Sequence, residues 1–245
     1  MRQPAVSLRP LLDLAHADDS IAALAAAAAE AVPGGDLDVA CSAALRPYLL
    51  AALAEAEPGL AGRPLLVVAA DDRGARDLAG EVGAYLAPRR VRFYPSRGTG
   101  YESHLSPPPH LVGLRIAALD ALAAADGEPA VVVASAVALA EAVPDASLRP
   151  AGFALGRGEE IDLGDVAELL AGSGYERVEQ VEDRGQFAVR GGILDVFGST
   201  GDQAARIELF GDEIESIRVF DVETQRSGQR LTEIRVTPAR DHSSD

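Results

Sequence analysis

The residues able to do chemistry in this chain are few and poorly spaced for it. His16, His104, His110 and His242 are scattered, with no interval that would set two of them on one metal ion. Cys41 is the only cysteine, which excludes an intrachain disulfide and any paired-cysteine metal site. Ser42 and Ser135 have no histidine placed to activate them, so a nucleophilic triad has no support. Asp18-Asp19, Asp71-Asp72 and Glu159-Glu160 are carboxylate pairs at the starts of helical stretches, where the helix dipole favours negative charge without any catalytic role. A phosphate-binding loop needs glycine-rich backbone amides, then lysine and Ser/Thr at a helix start. The first expected strand–helix junction, 37–45, contains neither lysine nor glycine; Gly34-Gly35 precede it as a turn, and Ser42 reads as a helix cap. The apolar strand expected at 130–134 brings no acidic metal ligand. The run 96–101 has glycines and Arg97 but follows Pro95 and opens no helix, so it reads as a loop. No catalytic, cofactor-binding or metal-binding residue is assigned, and the chain reads as a non-enzyme.

Binding is the better-supported chemistry. The stretch 185–197 alternates, stops at Gly191-Gly192, and alternates again, as two strand segments joined at a glycine pair do. A second block, 206–214, repeats the pattern with its turn at Gly211-Asp212. Side chains of a strand alternate between faces, so Ile207 and Leu209 share one face and Arg206, Glu208 and Phe210 the other. An ordinary charged outer face of a half-buried sheet accounts for such a row. The sharper alternative is a protein-docking face, because arginine and aromatic residues are enriched at interface hot spots.

Composition narrows the partner. The formal charge is −16, with 38 acidic against 22 basic residues, and every basic side chain is arginine. That balance argues against broad nucleic-acid binding, which needs clustered cations. An apolar fraction of 48% is ample for a core. The longest apolar run, 22–29, is too short to span a membrane, and the first residues lack a signal-peptide pattern, so a cytoplasmic protein with no membrane partner is the simplest expectation.

The elements that would position these residues fall into two groups. Helices are expected at 20–32, 42–56, 71–86 and 111–124, and strands at 37–41, 65–70, 91–94 and 130–134, with breaks at Pro33-Gly34-Gly35 and Glu57-Pro58-Gly59. This alternation predicts a helix-covered, mostly parallel α/β sheet. Near Pro144 the pattern changes. One helix at 163–171 is followed by consecutive strands at 176–182, 186–190, 192–197, 205–210 and 214–221, an α+β antiparallel module. A last strand, 231–236, is expected to return to the first domain. The predicted division is therefore 1–147 plus 229–245 for the parallel domain, with 148–228 inserted in it.

Gly-Tyr-Glu-Arg at 174–177, Phe-Ala-Val-Arg-Gly-Gly-Ile-Leu-Asp-Val-Phe at 187–197, and Ile-Glu-Leu-Phe-Gly-Asp-Glu-Ile-Glu-Ser-Ile-Arg at 207–218, continued through 220–226, resemble the interaction domain shared by UvrB and the bacterial transcription-repair coupling factors, the Mfd family. The first domain is similar to the start of Mfd proteins through Phe93-Tyr94-Pro95, Tyr101-Glu102, Ser106-Pro107, Arg115 and 119–122. The tyrosine-rich hairpin insertion and intact phosphate-binding loop of UvrB are absent, which favours Mfd and implies a degenerate helicase-like nucleotide fold. The resemblance implies that the α+β module binds UvrA, the damage-recognition ATPase of nucleotide excision repair, and that Arg190, Arg206, Glu208 and Phe210 are the contacting positions. It implies further that RNA polymerase and double-stranded DNA are bound by domains outside this chain, which is then a fragment or a truncated homologue. The alternative is an ATP-dependent DNA repair enzyme of the UvrB or helicase type.

Overall fold

The computed structural model describes residues 7–31, 35–98, 106–124, 128–143 and 145–241. Pro33, Gly34, Thr99, Gly100, Tyr101, Glu102, His104, Pro144 and His242, which figured in the sequence reading, lie outside them. The chain divides into two compact units: Met1–Ser96 with Ala118–Glu141, and Arg97–Ala117 with Ala142–Asp245.

The first unit begins with helices α1 (Leu12–His16), α2 (Asp19–Glu30) and α3 (Arg46–Glu55). Asp18 caps α2 by accepting from the amides of Ser20 and Ile21. Then follow β1 (Leu65–Ala69), α4 (Asp72–Leu86), β2 (Val91–Tyr94), α5 (Pro109–Ala123, whose first turns belong to the second unit), β3 (Val131–Ser135) and α6 (Ala136–Ala140). The three strands form a parallel sheet in the order β1-β3-β2. β3 is the central strand and is buried along its whole length, as its unbroken Val-Val-Val-Ala run requires. Val82 and Leu86 of α4 pack with Ala51 and Ala52 of α3 and with Val131. The strand expected at 37–41 does not form. Leu37 and Val39 are exposed and unpaired, since a short apolar run without a neighbouring strand leaves its backbone groups to water. Ser42 makes no side-chain cap bond. On β1, one of the two edge strands, Leu66 and Val68 face outward and remain exposed, so helices cover only one side of that strand.

The second unit holds β4 (Phe153–Gly156), α7 (Leu163–Gly172), β5 (Glu176–Arg177), β6 (Gln186–Arg190), β7 (Ile193–Phe197), β8 (Ala204–Phe210), β9 (Glu213–Phe220), β10 (Ser227–Leu231) and β11 (Glu233–Val236). β5 to β10 form one six-stranded sheet in sequence order, antiparallel except for the β5–β6 pair. The β6–β7 and β8–β9 turns place their positive φ on Gly191 (60°) and Gly211 (63°), the first central residue of each two-residue loop. That is the position where a II′ hairpin turn demands glycine. One face of the sheet buries Phe187, Leu194, Ile207, Ile214 and Ile217 against Val166 and Leu170 of α7.

Two boundaries differ from the sequence reading. The tail 229–245 was expected with the parallel sheet, but β11 pairs antiparallel with β4, within the second unit. The reason lies in the tail's backbone groups. Tyr175 Oη donates to the Thr237 carbonyl at 2.7 Å, Ser199 Oγ donates to the same carbonyl at 2.8 Å, and the Ala239 amide donates to Ser173 O. Val236 is buried beside Leu155 and Leu170. The break expected at 147 falls at 141, and Arg97–Ala117 joins the second unit. There Arg97 pairs with Asp241 at 3.0 Å, and Gly113 passes so close to Ser199 that a Cβ would lie 2.3 Å from its hydroxyl oxygen.

Candidate protein-docking site

The face of the six-stranded sheet opposite α7 is set by the register of β6 to β10. Ala188 lies opposite Asp195, Asp195 opposite Arg206, Arg206 opposite Arg218, and Arg218 opposite Arg230. A parallel row joins Arg190 to Ile193, Ile193 to Glu208 and Glu208 to Ser216. Directly opposed residues in a sheet share a face. The fold therefore puts Arg206, Glu208 and Phe210 on one face, as the alternation on β8 predicts, and the register of β6 and β7 brings Arg190 to the same surface.

Asp195, which the sequence reading passed over, organises this surface. It is 1% exposed and accepts from Arg206 Nε at 2.6 Å, Arg206 Nη2 at 2.8 Å and Arg190 Nη2 at 2.6 Å. The side chain of Arg206 is 16% exposed, and its guanidinium also lies over the Phe220 ring, 4.9 Å from the centroid. The bonds to Asp195 hold the Arg206 pKa above its ordinary value against the opposing effect of burial, with the charges of Asp195 and Glu208 adding to the rise. Arg190 is half exposed, so one side of its guanidinium remains open to solvent.

Glu208 is turned away from Arg206. Its Oε2 accepts from Ser216 Oγ at 2.7 Å across β8 and β9. Asp195 takes Arg206 instead, because the β7–β8 register puts the two face to face. Phe210 stands at the end of β8 beside the Gly211 turn, paired with Glu213, and is 82% exposed. A phenylalanine left in water at a hairpin tip forgoes roughly 1.5–3 kcal/mol of burial. Beneath the surface, Ala188, Phe197, Ala204 and Phe220 form a small apolar cluster that stiffens its other end.

The model of the UvrB interaction domain matches residues 153–242, which hold β4 to β11 and every residue of this face. The chain carries a UvrB interaction domain. Over most of its length the chain is similar to transcription-repair-coupling factors: 35% identical over 81% of the chain to that of Myxococcus xanthus, 40% over 73% to that of Mycobacterium bovis, and 29% over 73% to that of Bacillus subtilis. It spans only 17%, 14% and 15% of those proteins. The match to the UvrB interaction domain begins at Phe153, the first residue of β4, and runs past β11, in keeping with the pairing of those two strands.

The first unit carries a second polar cluster, at the carboxyl ends of the parallel strands. Asp71 caps α4, accepting from the Gly74 amide at 2.7 Å. Asp72, at the first turn of α4, accepts from the Ser96 amide, the Ser96 hydroxyl and the Ser135 hydroxyl. A helix amino terminus in this position is where a nucleotide phosphate would sit. Here the Asp71 carboxylate takes that place, with Asp72 beside it turned to Ser96 and Ser135. Among the described residues no group of three or more His, Cys, Asp or Glu side chains is arranged to hold a metal ion, and no helix is long and apolar enough to cross a membrane.

Proposed function

We propose that this chain is a non-catalytic docking module that recruits UvrA in nucleotide excision repair, through the face of Arg190, Arg206, Glu208 and Phe210. The names of the relatives and the UvrB interaction domain support a role in DNA repair. The observation that carries the docking reading is Phe210, 82% exposed on the same face as two arginines already oriented by a buried carboxylate. Interfaces are anchored by such groups: an aromatic with area to bury, and guanidinium forks fixed before the partner arrives. The unit Arg97–Ala117 with Ala142–Asp245 is the docking body, and the parallel-sheet unit is a support that has lost its nucleotide chemistry. The carboxylates of Asp71 and Asp72 at the α4 terminus favour this over the UvrB-type or helicase-type ATPase reading, since both would repel a phosphate.

In a longer transcription-repair-coupling factor, RNA polymerase and double-stranded DNA are bound by other domains, the work is done in the cytoplasm, and this module supplies the link to UvrA. Size-exclusion chromatography of the purified chain with purified UvrA tests the reading. Co-elution that is lost in Phe210→Ala is expected. Separate elution of the parent chain and UvrA at micromolar concentrations contradicts it.

A further inference from the structure

Three arginines stand directly opposite one another on β8, β9 and β10: Arg206, Arg218 and Arg230. Like charges directly opposed across strands destabilise a sheet. In a chain of net charge −16, acidic partners are plentiful, yet this row has one carboxylate at its end, Asp195, and both its oxygens are engaged by Arg206 and Arg190. Glu208, in the next row, is turned to Ser216. Among the described residues the side chains of Arg218 and Arg230 form no ion pair, and Arg218 Nε is buried without a hydrogen-bond partner. The fold alone gives no return for this arrangement. Sites that break a local rule in this way are where function is expected.

We infer that Arg218 and Arg230 extend the docking face across β9 and β10 and receive carboxylates from an acidic surface of the protein partner. This rests on the docking reading above and adds the chemistry of the partner. Arginine forks take carboxylates bidentately, and a row of cations on an acidic chain selects an acidic surface by charge complementarity. Phosphates of nucleic acid would meet the same forks. The −16 field of the chain and the apolar Phe210 and Ile193 on the same face favour a protein.

The test is titration of UvrA with the full chain at low and high salt, for the parent, Phe210→Ala, Arg218→Gln, Arg230→Gln and Arg218→Lys, with melting temperatures for each. Arg218→Gln is expected to weaken binding about tenfold and to flatten the salt dependence, while its melting temperature stays level or rises because repulsion in the row is relieved. Arg218→Lys keeps the charge and loses the fork, and is expected to recover only part of the affinity. If the parent binds, Phe210→Ala weakens it, and neither Arg218→Gln nor Arg230→Gln changes affinity or salt slope, this inference is overturned and the docking reading stands. If the parent itself does not bind UvrA, both fall. A lowered melting temperature in Arg218→Gln assigns a structural role and overturns the inference. So does a loss confined to binding of a duplex oligonucleotide.

Discussion

Arg206 lies directly across the β7–β8 ladder from Asp195 and grips both its carboxylate oxygens, at 2.6 and 2.8 Å. Because Asp195 is 1% exposed, this pair belongs as much to the fold as to the face above it. Arg206→Ala therefore does not isolate binding: it leaves a buried carboxylate with Arg190 alone. The cleaner probes of the surface are Phe210, which supports nothing beneath it, and Arg190, whose loss leaves Asp195 still paired with Arg206.

Asp195→Ala is predicted to lower stability by roughly 3–5 kcal/mol, since breaking a buried pair strands its partner's charge. Two arginines lose their anchor at once, so affinity for the partner falls as well. Urea denaturation checks the first effect. Replacing both Asp195 and Arg206 by apolar residues, Asp195→Leu with Arg206→Met, is predicted to recover much of the stability and none of the binding.

Ile207→Ala and Phe210→Ala are three residues apart on one strand and are predicted to act on different properties. Ile207 is fully buried, and its truncation is expected to cost roughly 2–5 kcal/mol of stability. Phe210 is exposed, and its truncation is expected to stay within about 0.5 kcal/mol. Thermal melts of the two variants decide the point; equal losses would mean that Phe210 packs inward.

The hairpins were legible in the sequence because alternation and glycine turns are local signals, and Gly191 and Gly211 sit where they were read. The face was legible too, because Arg206, Glu208 and Phe210 are separated by a strand's period of two. Asp195 was not, since its role depends on the register between β7 and β8, which no local pattern states. β4 escaped for a related reason, and β11, expected within 231–236, was given the wrong partner: each is four residues long and has meaning only against a strand far along the chain. At 37–41 the error ran the other way, as an apolar run has the look of a strand whether or not a neighbour exists to pair with it.

Tyr175 is predicted to make the protein sensitive to alkali. Burial raises the phenol's pKa, and the hydrogen bonds with Ser199 oppose the shift without cancelling it. The folded state thus binds this proton more tightly than the unfolded chain. The stability it contributes is fully present below about pH 10 and is lost as the pH rises through the folded value. Tyr175→Phe also gives up the bond to Thr237 O, worth about 1 kcal/mol. Melting curves from pH 8 to 11 should show the variant less stable at pH 8 but with a flatter alkaline decline; parallel declines would contradict the assignment.

The parallel-sheet unit is predicted to turn over no ATP and to show no shift in melting temperature with ATP and magnesium. Asp71 occupies the helix terminus that a phosphate would need, and Asp72, bonded to Ser96 and Ser135, adds a second negative charge in the first turn. Asp72→Asn is expected to lower stability without creating nucleotide affinity. Steady turnover by the parent chain, abolished by a change at Ser42 or Asp72, would show that the site is alive.

The most direct test of the docking face is the affinity of UvrA for Phe210→Ala and Arg190→Ala, measured by calorimetry beside the melting temperature of each variant. The account predicts that both melt within a few degrees of the parent, with affinity reduced at least about tenfold for Phe210→Ala. Undiminished binding by both variants, at unchanged stability, would contradict it and place the partner elsewhere on the chain.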